Sequence, residues 1–462
     1  MSSMAKTKGP GQDDYLFGRR QTWWIFSLFC VLMIFDFADR MVIAAVLPSI
    51  KSTFDLTDAQ SGLLSSALFL CMVLFALPAS VLIDRWSRTR TGGLMGGIWS
   101  LASGAGAFAV SFPQLLLTRA VVGAGEAGYL PAGIAWLTAA FPQRRRQFAM
   151  GILLSSQSVG TLLGLAAGGI IASYYSWRHA LGLLAIPGLI VAVLLYRSRD
   201  YQTIKRTVSS PASGPGDALV VGPDASPEST REEGGKTGVA ERFDGLRVVL
   251  GMPSLWLSFL ALSMLTLSAV PMHYFMPTLF HRVHDVPLQQ AAFMSSVVML
   301  ASAISMPLGG WIMDRRSQLK PENKLAFAIV VFCIGAILNG LAFGVVTELG
   351  PRFALMMLAA AVGSSAASSV LTLTQELVPA HRRAFSSTCC IITAHLLGSV
   401  PGPWVVGGLS DALGLTQALL IASVLSGTLA AITLWIAKGY YTRDYQRAAP
   451  YRLVVLGQGA SA

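Results

Sequence analysis

The sequence predicts an all-α integral membrane protein, with twelve transmembrane helices arranged as two pseudo-symmetric six-helix bundles. Three observations carry that prediction: a composition too apolar for a wetted surface, a series of apolar runs of spanning length, and basic residues gathered in alternate connections.

Of the 462 residues, 53% are hydrophobic and 12% charged, whereas a soluble domain carries about a quarter of its residues charged. A helix rising 1.5 Å per residue needs about 20 apolar residues to cross a hydrocarbon core of about 30 Å. Runs of that length occupy 23–48, 61–83, 92–112, 115–139, 148–172, 179–196, 254–280, 290–313, 324–346, 353–377, 385–409 and 416–437. A β-barrel would instead alternate polar and apolar residues over strands of about 10 residues.

The net charge is +11, so the placement of the basic residues matters. If the N-terminus lies in the cytoplasm, 28 of the 34 lysines and arginines fall in the tails and the even-numbered connections. The opposite side has Lys51, Arg178, Arg282 and Arg352, and the spans hold Arg40 and Arg119. The positive-inside rule then puts both termini in the cytoplasm. It does not select among lipid-bounded compartments; the cell (inner) membrane is the expected location. This distribution accounts for the basic charge without a polyanion, so no nucleic-acid partner is expected. The first 22 residues lack a short apolar core with a small-residue cleavage site, so the first span is expected to insert uncleaved.

Cys30, Cys71, Cys333, Cys389 and Cys390 all fall within spans, with neither a disulfide framework nor metal-ligand spacing. No Gly-x-x-x-x-Gly-Lys-Ser/Thr loop is present to bind ATP, and no histidine pairs with a nucleophile at a membrane face. The chain is therefore not expected to be an enzyme, to hold a metal or cofactor, or to draw on ATP.

The organisation follows: a tail at 1–22, a first bundle at 23–196, a cytoplasmic linker at 197–250, a second bundle at 251–437 and a tail at 438–462. The linker turns polar and rich in Pro, Gly and Ser ("SSPASGPGDALVVGPDASPESTREEGG"), too polar to build a core. The two bundles repeat one another. "LIDRWSR" after the second span matches "IMDRRSQ" after the eighth, placing Asp84–Arg85 and Asp314–Arg315 at a separation of 230. "FPQRRR" matches "VPAHRR" at a separation of 237, and Gly168–Gly169 matches Gly407–Gly408 at 239. Two related six-helix halves can rock about a midplane site, which is the architecture of a transporter.

Six plus six spans, with Asp-Arg in both the second-to-third and the eighth-to-ninth loops, resemble the major facilitator superfamily. The loop signature Gly-x-x-x-Asp-Arg-x-Gly-Arg-Arg is imperfect: Ser80 and Ser87 replace its glycines in the first half, while Gly310 is kept in the second. Within the superfamily the first half resembles above all the spinster-like transporters, through "FADRMVIAAVLPSI", "DRWSRTR", "WSLASGAGAF", "LLLTRAVVGAGEAGYLPA" and "YYSWRHALGLLAIPGL". The Asp-Arg of the first span and the Arg-x-x-x-Gly-x-Gly-Glu of the fourth also resemble the anion:cation symporters of organic acids. Asp84, Arg85, Asp314 and Arg315 are, by this resemblance, gating-loop residues rather than substrate contacts.

The stretch "FDFADRM" sets Asp36, Asp39 and Arg40 in the first span; the fourth holds Arg119 and Glu126. An ionised side chain at a helix centre costs about 2.5 to 3.5 kcal/mol even on insertion scales, so it needs a cavity or a partner. In the superfamily fold both helices line the cavity of the first half. Burial in a cavity favours a protonated carboxylate and a nearby guanidinium favours an ionised one, so a small rearrangement can load or empty it. Arginine keeps its proton but can grip a carboxylate in a bidentate fork.

The expectation is therefore that Asp39 and Glu126 carry the coupling proton. Arg40 and Arg119 would tune them or bind a substrate anion, and Asp36 is a further candidate contact. The alternative is that Asp39 with Arg119, or Arg40 with Glu126, are static ion pairs locking the first helix to the fourth.

Other candidate substrate contacts are Tyr129, Gln157, His273, Tyr274, Asn339, Gln375 and His395. Pro271 and Pro277 bracket His273 and Tyr274 and are expected to break the seventh helix where it lines a cavity. Gly160, Gly164 and Gly168 repeat every four residues, the spacing of close helix packing, and are expected at the moving seam between the halves. Ala167 precedes Gly168–Gly169 where an antiporter signature has proline, which favours symport or uniport.

The expected activity is proton-coupled transport of a small organic solute, an organic anion, by a monomer in the lipid bilayer. The alternative is a spinster-like exporter of lysophospholipids or other lipids.

Overall fold

The computed structural model describes residues 15–200, 251–317, 323–378 and 383–448. Most of the predicted tails and of the linker lies outside them. The first half comprises α1 (Arg19–Phe54), α2 (Asp58–Arg85), α3 (Arg88–Gly106), α4 (Phe112–Ala140), α5 (Gln143–Tyr174) and α6 (Trp177–Tyr196). The second comprises α7 (Pro253–His284), α8 (Leu288–Ser317), α9 (Asn323–Gly344), α10 (Leu349–Glu376), α11 (Arg383–Ala394), α12 (Pro401–Leu413) and α13 (Leu415–Ala448).

All twelve predicted spans coincide with helix, the eleventh being α11 and α12 joined by a π-turn at His395–Ser399. Among the described residues, nine helices are apolar and long enough to cross a membrane on composition alone. The others are glycine-rich α3 and the two helices that carry the charges, α1 and α4.

Helix starts follow local chemistry. Thr57 and Gln60 form a capping box at α2, and the Ser87 side chain accepts the Arg90 amide at α3. Gly414, at φ 87°, turns the chain from α12 into α13, a conformation that favours glycine.

The sequence repeat is also a packing repeat. In the first half α2 packs on α4, α3 on both α4 and α6, and α1 on α5. In the second, α8 packs on α10, α9 on both α10 and α13, and α7 on the α11–π–α12 stretch.

Two expectations are corrected. The prolines do not break α7, which runs unbroken from Pro253 to His284. Each proline removes one donor, and the Leu267 carbonyl that Pro271 leaves unserved abuts the backbone of Gly402, where a Cβ would lie 2.8 Å from it. The glycine stripe of α5 is not at the seam between the halves. Gly160, Gly164 and Gly168 lie on Ile34, Ala38 and Val42 of α1, within the first half, because both stripes repeat every four residues. Gly169, one residue further round, meets Ala292 of α8 in the other half.

The π-turn has a local cause. Pro401 cannot donate, and the Val400 amide reaches back five residues to His395 O at 2.8 Å. Nearby carbonyls of Thr393 and Ala394 accept from Ser263 Oγ at 3.1 Å and Thr266 Oγ1 at 2.9 Å of α7.

Both described chain ends lie at one face: the Leu16 amide bonds to Ala140 O at the end of α4, and Ser254 at the start of α7 bonds to Asp444 near the end of α13. The opposite, distal face carries the contacts between the halves. There the Gly62 backbone touches the Pro403 carbonyl, the Gly407 backbone touches the Asp58 carbonyl, and Tyr274 donates to Ser61 O at 2.9 Å. The halves thus meet along α2 with α12, α5 with α8, and α1 with α7.

Candidate functional site

Antiparallel α1 and α4 sort the buried charges into two groups at different depths. Arg119 and Glu126 are seven residues apart, two turns or about 10 Å along α4. Arg119, earlier in α4, lies nearer the distal face and meets Asp39, later in α1. Glu126, deeper, meets the side chain of Arg40, which follows Asp39 but points about 100° round α1 and reaches back to Asp36 one turn earlier, and Tyr129 meets Asp36.

The first group is closed. Arg119 Nη1 lies 3.0 Å from Asp39 Oδ2, and Arg119 Nη2 donates to Ser103 Oγ of α3 at 3.2 Å. Ser103 in turn donates to Asp39 Oδ1. Asp39 and Arg119 are each 1% exposed, and Ser103 is fully buried. One cation balances one anion, and both carboxylate oxygens are served.

The second group is unbalanced. Arg40 Nη2 lies 2.8 Å from Glu126 Oε2 and 3.2 Å from Asp36 Oδ2, and Tyr129 OH donates to Asp36 Oδ2 at 2.7 Å. Two carboxylates share one guanidinium nitrogen. Asp36, Glu126 and Tyr129 are buried, and Asp36 Oδ1 and Glu126 Oε1 have no donor among the described residues. The Arg40 side chain is 14% exposed, the most accessible of the three charges.

Arg40 also reaches toward the second half. Its guanidinium lies 4.7 Å from the ring of Phe37 and 5.9 Å from that of Phe69, within cation–π range. Phe69 of α2 stacks on His395 at 5.3 Å, and His395 Nδ1 lies 3.0 Å from Ser399 Oγ, so the π-turn sits against the charged group through one aromatic ring.

The structure thus brings together Asp36, Arg40, Glu126, Tyr129 and, across the seam, His395. Asp39 and Glu126, expected as a pair, are held by different arginines. Tyr274 has its hydroxyl in the cross-half bond to Ser61, while its neighbour His273 is half-buried. Gln157 is exposed on α5, and Asn339 is half-buried on α9, away from the charged groups. The side chains of Asp84, Arg85, Asp314, Arg315 and Gln375 lie outside the described residues.

Sequence reasoning missed Ser103, Phe69 and the distal residues Asp58, Arg282 and Asp411. A serine and a phenylalanine in a span carry no signal of their own, and charges near helix ends are unremarkable.

Two repeated six-helix halves, closed at one face around buried charges, define a membrane transporter rather than an enzyme. The chain belongs to the Major Facilitator Superfamily, whose family model matches residues 28–389. It is 24% identical to an MFS-type efflux pump of Mycolicibacterium smegmatis, covering 92% of this chain and 95% of that one. It is 26% identical to the 4-hydroxybenzoate transporter PcaK of Pseudomonas putida, covering 82% and 85%. Among solved structures, a bacterial homologue of the human lysosomal transporter spinster, inward-facing and unoccupied, superposes with a TM-score of 0.72 at 22% identity, covering 94% of this chain and 99% of that one.

Proposed function

We propose that this chain is a secondary active transporter that moves a small organic anion by alternating access, driven by a proton carried on Asp36 and Glu126. The observation that carries the reading is the sharing of the Arg40 Nη2 by two buried carboxylates. With both ionised, the trio bears one excess negative charge in a desolvated place, and one proton removes it. Asp39 is a weaker carrier than the sequence suggested, because Arg119 and Ser103 already satisfy both its oxygens. Those residues act instead as a fixed tie between α1, α3 and α4.

Arg40, partly exposed and flanked by aromatic rings, is the proposed grip for the anionic group of the substrate. Similarity to a 4-hydroxybenzoate transporter supports an organic acid as cargo. The working unit is a monomer in the inner membrane with cytoplasmic termini, so that the distal face, where the halves meet, is the outer one. The spinster-like first half supports a second reading, export of lysophospholipids or other lipids.

The test is uptake of a panel of organic acids into proteoliposomes under an imposed pH gradient, comparing the wild type with Asp36→Asn, Glu126→Gln and Asp39→Asn. Gradient-driven uptake lost in the first two supports the assignment. Uptake with an unchanged pH response in Glu126→Gln refutes it, and failure to carry any acid hands the first place to lipid cargo.

A further inference from the structure

The α2–α12 and α5–α8 seams at the distal face are related by the internal repeat, yet among the described residues only the first carries charge there. On the α2–α12 seam, Asp411 of the second half accepts the backbone amides of Asp58 and Ala59, at 2.7 Å on Oδ1 and 2.9 Å on Oδ2. These are the first two amides of α2, which the helix cannot serve itself. The capping box serves the next one, Gln60, from Thr57 Oγ1 at 3.1 Å. The N-terminus of α2 is thus capped half by its own chain segment and half by a carboxylate of the opposite bundle.

The exchange is reciprocal. Asp58 is buried and takes Arg282 Nη1 of α7 at 2.8 Å and Ser410 Oγ of α12 at 2.5 Å, with Lys51 of its own half at 2.5 Å. Arg282 Nη2 donates to Ser410 Oγ at 3.1 Å, closing the ring. These groups line a cleft of ≈ 640 Å³ at the distal face.

At the equivalent α5–α8 seam, the separation of 230 places Leu288 and Gln289 where α2 has Asp58 and Ala59. The separation of 239 places Ala172 where α12 has Asp411. That seam closes by packing, Gly169 against Ala292.

We propose that Asp411, the amides of Asp58 and Ala59, and the Asp58–Arg282–Ser410 ring form a one-sided latch holding the distal face shut, with the α5–α8 seam as the smooth side about which the halves part. Opening must uncap α2 from α12 and separate Asp58 from Arg282 of α7, two events at the same end of α2. The distal parts of the packed seam, 160–176 and 288–300, hold no charged residue to separate. The latch rests on the chain's membership of a two-bundle transporter class and is independent of cargo and of the proton site.

Hydrogen exchange of the full-length chain in lipid nanodiscs tests it. Asp411→Asn is expected to speed exchange by about tenfold or more at Asp58 and Ala59 and, beyond the substituted contact, at 61–66 and 403–408. Arg282→Gln, which leaves the Asp411 cap in place, is expected to do the same, and Arg282→Lys to stay near the wild type. In both disruptive variants 166–172 and 288–294 change less. Acceleration confined to Asp58 and Ala59 in Asp411→Asn, with none in Arg282→Gln, reduces Asp411 to a local cap and overturns the latch. Equal acceleration along both seams overturns its one-sidedness. If Asp411→Asn does not fold, the two Arg282 variants decide alone.

Discussion

Arg40 of α1 and Glu126 of α4 meet at 2.8 Å, and the same guanidinium nitrogen lies 3.2 Å from Asp36. A single cation between two buried anions leaves room for one proton, and the sign of the pH response follows. Acidifying the outer side, from which the pair is loaded once the distal face opens, neutralises the excess charge, so uptake is expected to rise as the outer pH falls. Glu126→Gln or Asp36→Asn leaves one carboxylate against one guanidinium, already balanced. Either variant is expected to lose at least about tenfold in gradient-driven uptake while retaining substrate exchange at equal pH. Parallel uptake and counterflow assays in proteoliposomes separate the two.

Asp39 and Arg119 make the opposite prediction, one of stability. Removing one partner of a buried pair leaves the other charge unpaired, at a cost of about 3–5 kcal/mol. Arg119→Met and Asp39→Asn should each lower the melting temperature in detergent markedly. The double variant should recover much of the loss, because it removes both charges. A double variant no better than the worse single would mean that the pair holds the helices by more than charge.

Much of this arrangement was legible in the sequence, for a physical reason. The bilayer imposes a length on every span and the positive-inside rule orders the loops, so the twelve helices and their repeat follow from apolar runs and the placement of arginines. Charges such as Asp36 and Arg119 stand out because hydrocarbon makes them costly. The contacts of Asp39 with Arg119 and of Arg40 with Glu126 are both named from the sequence as the ion-pair alternative. That Asp36 shares Arg40 with Glu126 depends on the rotation of α1 against α4, which the sequence does not state. The glycines of α5 announced a close contact without naming their neighbour. Asp58, Arg282 and Asp411 lie near helix ends, where charge costs little and carries no signal.

Gly164 tests the corrected packing. A Cβ there would fall on the Ala38 backbone, whereas Gly97 and Gly151 have nothing within 4 Å. Gly164→Ala forces α5 off α1 and is expected to destabilise by about 1–3 kcal/mol, as overpacked cores do. Gly151→Ala should be neutral or slightly stabilising, since alanine is the better helix former. Thermal unfolding of the purified variants reads both.

Phe69 joins the charged group to the second half, facing Arg40 on one side and stacking on His395 on the other. An aromatic pair contributes about 0.5–1.5 kcal/mol beyond its buried area. The contact crosses the seam between α2 and the π-turn, so it stabilises the distal-closed arrangement in which the halves meet. Phe69→Ala should therefore shift the balance toward distal opening by up to about tenfold, since 1.4 kcal/mol is a factor of ten. Phe69→Tyr keeps the stack and should stay near the wild type. Single-molecule energy transfer between labels at the distal ends of α2 and α12 measures the two populations. An unchanged ratio in Phe69→Ala would mean that the ring serves Arg40 alone and that the closed state rests on the Asp58 and Asp411 contacts.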